Sequence, residues 1–203
     1  MRARLVVGVA ALVGVALGAA LYATVGRART PAVALHGEAT WARGSRPAPP
    51  VTLRDQAGAL VSLRSLRGRP VVLTFLDPLC TSECPLEGRA LASVVRALPH
   101  ALRPTVVVVS VNPRATARDA ARSAAHWGLT GTIRLHWLLG DRAALRRVWR
   151  AYGVTVEPTT NDVVHSLVLY LVDKRGDERA GYLYPFVRRQ LAGDLRRLAR
   201  ERA

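Results

Sequence analysis

The chain is poor in cysteine, methionine and lysine, with two, one and one of these respectively among its 203 residues; the lysine is Lys174. Two cysteines allow at most one internal disulfide, which excludes a multiply bridged scaffold and a four-cysteine zinc site. Arginine therefore carries the positive charge, and 30 Lys+Arg against 14 Asp+Glu give a formal net charge of +16. A nucleic-acid reading of that excess needs a basic stripe with aromatic platforms or a known motif. Neither is present. Arginines such as Arg188, Arg189, Arg196, Arg197 and Arg200 instead recur with a helical period, the pattern of a solvated face. There is no internal repeat, which excludes a solenoid. Hydrophobic residues make up 50% of the chain, enough for one domain with a core of its own plus an appendage.

That appendage is N-terminal. Residues 5–26 hold no charged side chain and are rich in Val, Ala, Leu and Gly, with Tyr22 near one end. At ~1.5 Å per helical residue the run reaches ~33 Å, enough for a ~30 Å hydrocarbon core. Arg2 and Arg4 precede it, and Arg27 and Arg29 follow. A cleaved signal peptide is the competing reading. The run is longer than the usual ~7–15-residue apolar region of such peptides, which favours an uncleaved segment. The expectation is a single-pass anchor in the cell membrane, with residues 1–4 cytoplasmic and the C-terminal domain extracytoplasmic. Either reading exports the cysteines to an oxidising compartment. Residues 27–50, closing on Arg46-Pro47-Ala48-Pro49-Pro50, read as an extended linker with His36 exposed within it. The domain is expected over 51–203.

Within that domain, 51–63 reads as a hairpin turning at Asp55-Gln56-Ala57-Gly58. Runs 71–76 and 105–111 are continuously apolar, as in parallel strands covered on both faces. Further strands are expected at 133–139, 166–172 and 181–184. Helices are expected after Pro85 with an apolar face of Leu86, Ala90, Leu91, Val94, Val95 and Leu98, at 116–127 closed by Gly128, after Asp141 as N-cap, and at 187–200. Residues 156–164 read as a loop. The sum is an α/β fold, a mixed sheet with a parallel portion and an antiparallel edge, flanked by helices. Ligands of such sheets sit at the carboxyl ends of the parallel strands.

Both cysteines lie at that end of 71–76, in Cys80-Thr81-Ser82-Glu83-Cys84-Pro85. Pro85 suits a first helical turn, and the positive end of a helix favours thiolate over thiol. Strand, cysteine pair, helix N-terminus is a thioredoxin-like layout. On a regular helix, positions i and i+4 hold their Cβ atoms ~5–6 Å apart, too far for a disulfide, which wants ~3.8 Å. A loop joined to a first turn closes the bond; the wide gap also suits a metal between two thiolates. Two buried cysteines that are merely neighbours is the third reading. His165 stands directly before the strand at 166–172, on the loop that thioredoxin-like folds bring beside the dithiol. Two thiolates and an imidazole suit Cu(I) and also hold Zn²⁺. The other histidines, His100, His126 and His136, read as structural.

These stretches resemble the Sco/SenC family of membrane-anchored copper chaperones. The likeness runs from about 51 to 184. It rests on Cys-x-x-x-Cys-Pro at 80–85 and His-Ser-x-x-x-Tyr-Leu-x-Asp at 165–173, supported by Leu-Arg-Asp-Gln-Ala-Gly at 53–58, Leu-Arg-Gly at 66–68, Ser-Val-Asn-Pro at 110–113 and Tyr-Gly-Val at 152–154. The resemblance implies a thioredoxin-like fold and copper, Cu(I) or Cu(II), on Cys80, Cys84 and His165. It implies a role in supplying copper to, or reducing thiols at, the binuclear copper site of cytochrome c oxidase, with its subunit II or another copper protein as partner and a thiol reductant as a further one. The alternative is a thiol-disulfide oxidoreductase acting through a redox-active Cys80/Cys84 pair without metal. In three places this chain differs from the family pattern: Asp77-Pro78 replaces an aromatic-Thr pair, Ser82 replaces an aspartate, and Val164 replaces an acidic residue.

Overall fold

The computed structural model of the protein describes residues 35–159 and 163–202. The expected anchor at 5–26 lies outside them. Among the described residues no helix is long and apolar enough to cross a membrane.

Two runs of apolar residues build the centre of the sheet. Strand β4 (Val71–Leu76) and strand β5 (Thr105–Ser110) are buried at every position and pair in parallel, Val71 opposite Thr105 through Leu76 opposite Ser110. Because strand side chains alternate, each run feeds two cores. Val72 and Leu76 face one side with Val106 and Val108; Val71, Leu73 and Phe75 face the other with Val107 and Val109. A strand covered on both faces is apolar at most positions, which is why these runs show no alternation; Thr74, Thr105 and Ser110 are their buried polar residues. Strand β6 (Arg134–Leu138) extends the parallel portion beyond β5. On the other side of β4 the sheet turns antiparallel through β9 (Val168–Val172), β10 (Glu178–Leu183) and the short β1 (Ala39–Thr40), giving the order β1-β10-β9-β4-β5-β6.

Helices α1 (Glu83–Arg96), α2 (Ala117–His126) and α4 (Arg188–Arg200) contribute to one core, where Leu91, Val95, Ala120, Ala124, Leu191 and Leu195 meet. Helix α3 (Arg142–Ala151) and the hairpin of β2 (Thr52–Arg54) and β3 (Leu60–Ser62) fill the other with Leu145, Val148, Trp149, Leu53 and Val61. The caps are where their chemistry places them. Thr116 caps α2 in a reciprocal box with Asp119, and the Asp141 carboxylate accepts from Ala144 N at 2.7 Å to start α3. On α1 the expected apolar face is rotated at its start: Leu86 is 46% exposed, and Glu87 and Gly88 are buried in its place. A Cβ on Gly88 would stand 2.6 Å from Trp127 Cε3, so the helix can lie this close to Trp127 only with glycine there.

Two expectations are corrected. Residues 156–164 are no simple loop: β7 (Val156–Pro158) and β8 (Val163–His165) pair antiparallel, with Val156 opposite His165. The stretch read as an extended linker is folded against the sheet from Leu35 onward. Ala39 and Thr40 pair with Gly181 and Ala180, Pro47 bridges to Asp177, and Arg46 stacks over Trp41 while pairing with buried Glu178. His36 is no free linker residue. Its N–H donates to Asp194 Oδ2 at 2.6 Å and its Nδ1 meets Asp194 Oδ1 at 2.8 Å. Asp194 is fully buried and also accepts from the Tyr182 hydroxyl at 2.5 Å. Removing that carboxylate strands a buried hydroxyl and releases the N-terminal segment. Asp194→Ala is therefore expected to cost about 2–3 kcal/mol in denaturant unfolding; an unchanged midpoint would refute this account of how 35–41 is held.

Candidate metal and thiol site

Sheet topology assembles the site. Strand β9 runs antiparallel to β4, with Leu169 opposite Thr74, so the chain entering β9 comes from the end of β4 where the cysteines lie. His165, the last residue of β8, is thereby returned to the cysteine loop. Its Nε2 stands 3.3 Å from Cys84 Sγ, across 81 positions of sequence. Cys84 is completely buried in the first turn of α1, and Cys80 sits half-buried in the loop before it. The pair thus adopts the loop-plus-first-turn arrangement, and both are free thiols.

Hydrogen bonds fix the donors. His165 Nδ1 lies 3.0 Å from the Ser166 carbonyl. A carbonyl can only accept, so Nδ1 carries the proton and Nε2 presents a lone pair to Cys84 in the neutral ring. Ser166 itself is held to Thr155 by two bonds, its N–H to Thr155 O at 3.1 Å and Thr155 N–H to its Oγ at 3.1 Å. The Asp77 N–H donates to Cys84 Sγ at 3.4 Å. The Asp77 carboxylate braces the loop, accepting from Leu79 N–H at 2.8 Å and Asn112 Nδ2 at 2.9 Å. Asn112 belongs to the Ser-Val-Asn-Pro stretch, whose role in the site sequence reasoning missed.

The two thiols are unequal. Hydrogen bonding from Cys84, helped by Ser82, lowers Cys80 to about 4 against the cost of burial. Hydrogen bonding to Cys80 and desolvation push Cys84 upward, so it keeps its proton. The half-buried sulfur is the thiolate and the fully buried one the thiol.

Beneath Cys84, one turn along α1, lies Glu87, which sequence reasoning also missed. It is fully buried, accepts from Thr74 Oγ1 at 2.6 Å, and leaves Oε2 without a partner. Desolvation raises it to about 7 despite the Thr74 bond. The available signal was a carboxylate three residues after a buried cysteine, on the same helix face.

Chemically, the cluster offers two soft sulfurs and one imidazole nitrogen, a set suited to Cu(I) and tolerant of Zn²⁺. Among the described residues no three His, Cys, Asp or Glu side chains already form a closed metal cage. Cys80 Sγ stands 3.4 Å from Ser82 Oγ and is hydrogen-bonded with the Cys84 side chain, which links it to the Cys84–His165 pair. His36 and His136 are engaged elsewhere, with Asp194 and with Asp55, and His100 and His126 stand at a 3₁₀ turn and at the end of α2.

The model of the family described as SCO1/SenC matches residues 42–200. No curated protein matches the sequence. Among solved structures, Bradyrhizobium japonicum ScoI with copper bound is similar at 25% identity, covering 75% of this chain and 99% of that one, with a TM-score of 0.63. Arabidopsis thaliana ScoI with copper bound is 22% identical over 75% of this chain and 98% of that one, TM-score 0.65. BsSco, a member of the Sco family of cytochrome c oxidase assembly proteins in which a disulfide switch was identified, is 19% identical over 77% and 95%, TM-score 0.67. The mixed sheet flanked by helices is thus the thioredoxin-like fold of these structures.

Proposed function

The chain belongs to the SCO1/SenC family, and from that premise we propose that it is an extracytoplasmic, membrane-anchored copper-binding protein of cytochrome c oxidase assembly. Copper is its cargo, held by Cys80, Cys84 and His165 and passed to the binuclear copper site of subunit II. The observation that carries the reading is the 3.3 Å approach of His165 Nε2 to Cys84 Sγ, with Nδ1 tied off on a carbonyl. A ring fixed in that tautomer is prepared to ligate. The copper-bound state of the Arabidopsis thaliana and Bradyrhizobium japonicum structures supports the choice of metal. The uncharged run at 5–26 supports the anchor and the location.

A second reading rests on the unequal thiols. A low-lying, half-buried Cys80 beside a fully buried, protonated Cys84 is the arrangement of a nucleophile and its resolving partner. On that reading the protein reduces thiols at the same oxidase site and needs no metal.

Cells test the assignment. Deleting the gene is expected to lower cytochrome c oxidase activity several-fold in copper-limited medium, with wild type but not Cys80→Ser restoring it. Recovery with added copper supports delivery; recovery with an added thiol reductant but not with copper supports the second reading. Full oxidase activity in the deletion strain sinks both. A reporter fused after Ala203 should read outside the cytoplasm, and a cytoplasmic signal removes the location.

A further inference from the structure

A cleft of about 380 Å³ opens beside the cysteine–histidine cluster. Val111 and Trp149 lie buried in its lining, and Leu79, next to Cys80, is 44% exposed in it. One wall is the β7–β8 ribbon, in which Val156 pairs in register with His165. Cleft and cluster therefore share the ribbon and the cysteine loop, with Leu79 in the lining directly before Cys80.

The rim is positive. Arg114 follows β5, and Arg142 and Arg146 stand one turn apart on α3, facing the same way. All three are exposed. Among the described residues none of them forms an ion pair. The acidic residue in the lining, Asp77, is 2% exposed and accepts from Leu79 and Asn112, so one carboxylate stands against three guanidiniums and the rim stays net positive. Three guanidiniums beside one exposed leucine match carboxylates flanking an apolar side chain. The volume exceeds what one inorganic anion fills.

We propose that this cleft is the docking groove for an acidic polypeptide segment of the protein that exchanges copper or thiols with the cluster, a proposal that rests on the assembly reading above. Carboxylates seat on Arg114, Arg142 and Arg146, and an apolar residue covers Trp149 and Leu79. The electrostatic rim sets which partner reaches the donor atoms and in which register.

The test uses the copper-free, reduced full chain and a fluorescein-labelled, glutamate-rich peptide carrying one leucine, read by anisotropy. Its glutamine analogue is expected to bind at least about tenfold more weakly, and raising the salt should weaken the acidic peptide. Arg142→Glu with Arg146→Glu should cost about tenfold or more. Arg64→Glu with Arg175→Glu makes the same charge change at the opposite end of the sheet, where Val172 meets Val71, and should stay within about twofold. Equal losses in the two double variants mean general attraction to a basic protein and overturn the groove. Displacement of the peptide by citrate or inorganic phosphate at matching concentration overturns it in favour of a small-anion site. Copper titration of the same proteins separates the two readings. No copper bound by wild type, with groove-specific peptide binding intact, sinks the cargo and leaves the groove. Copper bound equally by wild type and the Arg142/Arg146 variant, with no peptide bound by either, sinks the groove alone and shows that the variant folds.

Discussion

Replacing Cys84 by Ser is expected to abolish high-affinity Cu(I) binding, while replacing His165 by Ala leaves Cu(I) bound and loses Cu(II). Thiolates supply the soft donors that hold Cu(I), and the imidazole supplies the nitrogen that Cu(II) needs beside them. Loss of a ligand sulfur should cost well beyond the ~10–100-fold typical of an outer partner. Cys80→Ser should behave like Cys84→Ser. Copper must also displace the proton that Cys84 retains, so affinity should fall as pH drops. Titration of each full-length variant with Cu(I) against a competing chelator, and with Cu(II) followed by its visible charge-transfer band, reads all of this. The metal-free oxidoreductase reading gives a different order: both cysteine variants lose reductase turnover and His165→Ala keeps it. Equal affinity of wild type and His165→Ala for both oxidation states removes His165 from the site. If it comes with unimpaired reductase turnover, it moves the function to thiol exchange.

The parts of the fold read correctly in advance were those whose cause is local. The runs 71–76 and 105–110 announce buried parallel strands through their own composition. Thr116, Asp141, Gly128 and Gly153 mark helix ends through side-chain acceptors or positive φ angles of 75° and 65° at the two glycines. The parts misread were those whose cause is distant. Residues 35–50 carry the Pro, Gly and Arg of a linker, and become ordered through partners such as Asp194, which is 158 positions from His36. The β7–β8 ribbon hides because each strand is three residues long and Pro158 ends the first. The site divides the same way. Cys80 and Cys84 stand out by rarity and spacing, and His165 by its place before a strand. Asp77 and Asn112 meet across 35 positions that no spacing rule names, and Glu87 reaches Thr74 across 13, its local signal being only its place three residues after Cys84.

Glu87 leads to the second large effect, in stability. Its folded-state pKa of about 7 stands above the ordinary 4.5 because burial penalises the charged form and Thr74 alone offers a hydrogen bond. A carboxyl raised on folding binds more protons in the native than in the unfolded state between those two values. Its contribution is therefore complete below about pH 4.5, declines as pH rises to about 7, and is gone above that. A rise of roughly two and a half units, at ~1.4 kcal/mol each, amounts to about 3 kcal/mol. Cys80 titrates in the opposite sense, since its lowered pKa adds stability as pH rises above about 4. The measurement must therefore be a difference. Denaturant unfolding of reduced, copper-free wild type and Glu87→Gln across pH 4 to 8.5 should give curves that diverge through this window by about 3 kcal/mol, with the variant gaining relative to wild type as pH rises. Thr74→Val, which removes the bond favouring the carboxylate, should extend wild type's decline above pH 7. Parallel profiles for wild type and Glu87→Gln would mean that Glu87 is already ionised in the folded protein, with Oε2 solvated or paired. The carboxyl beneath Cys84 would then be a fixed negative charge, opposing thiolate formation there at every pH above the ordinary carboxylate range.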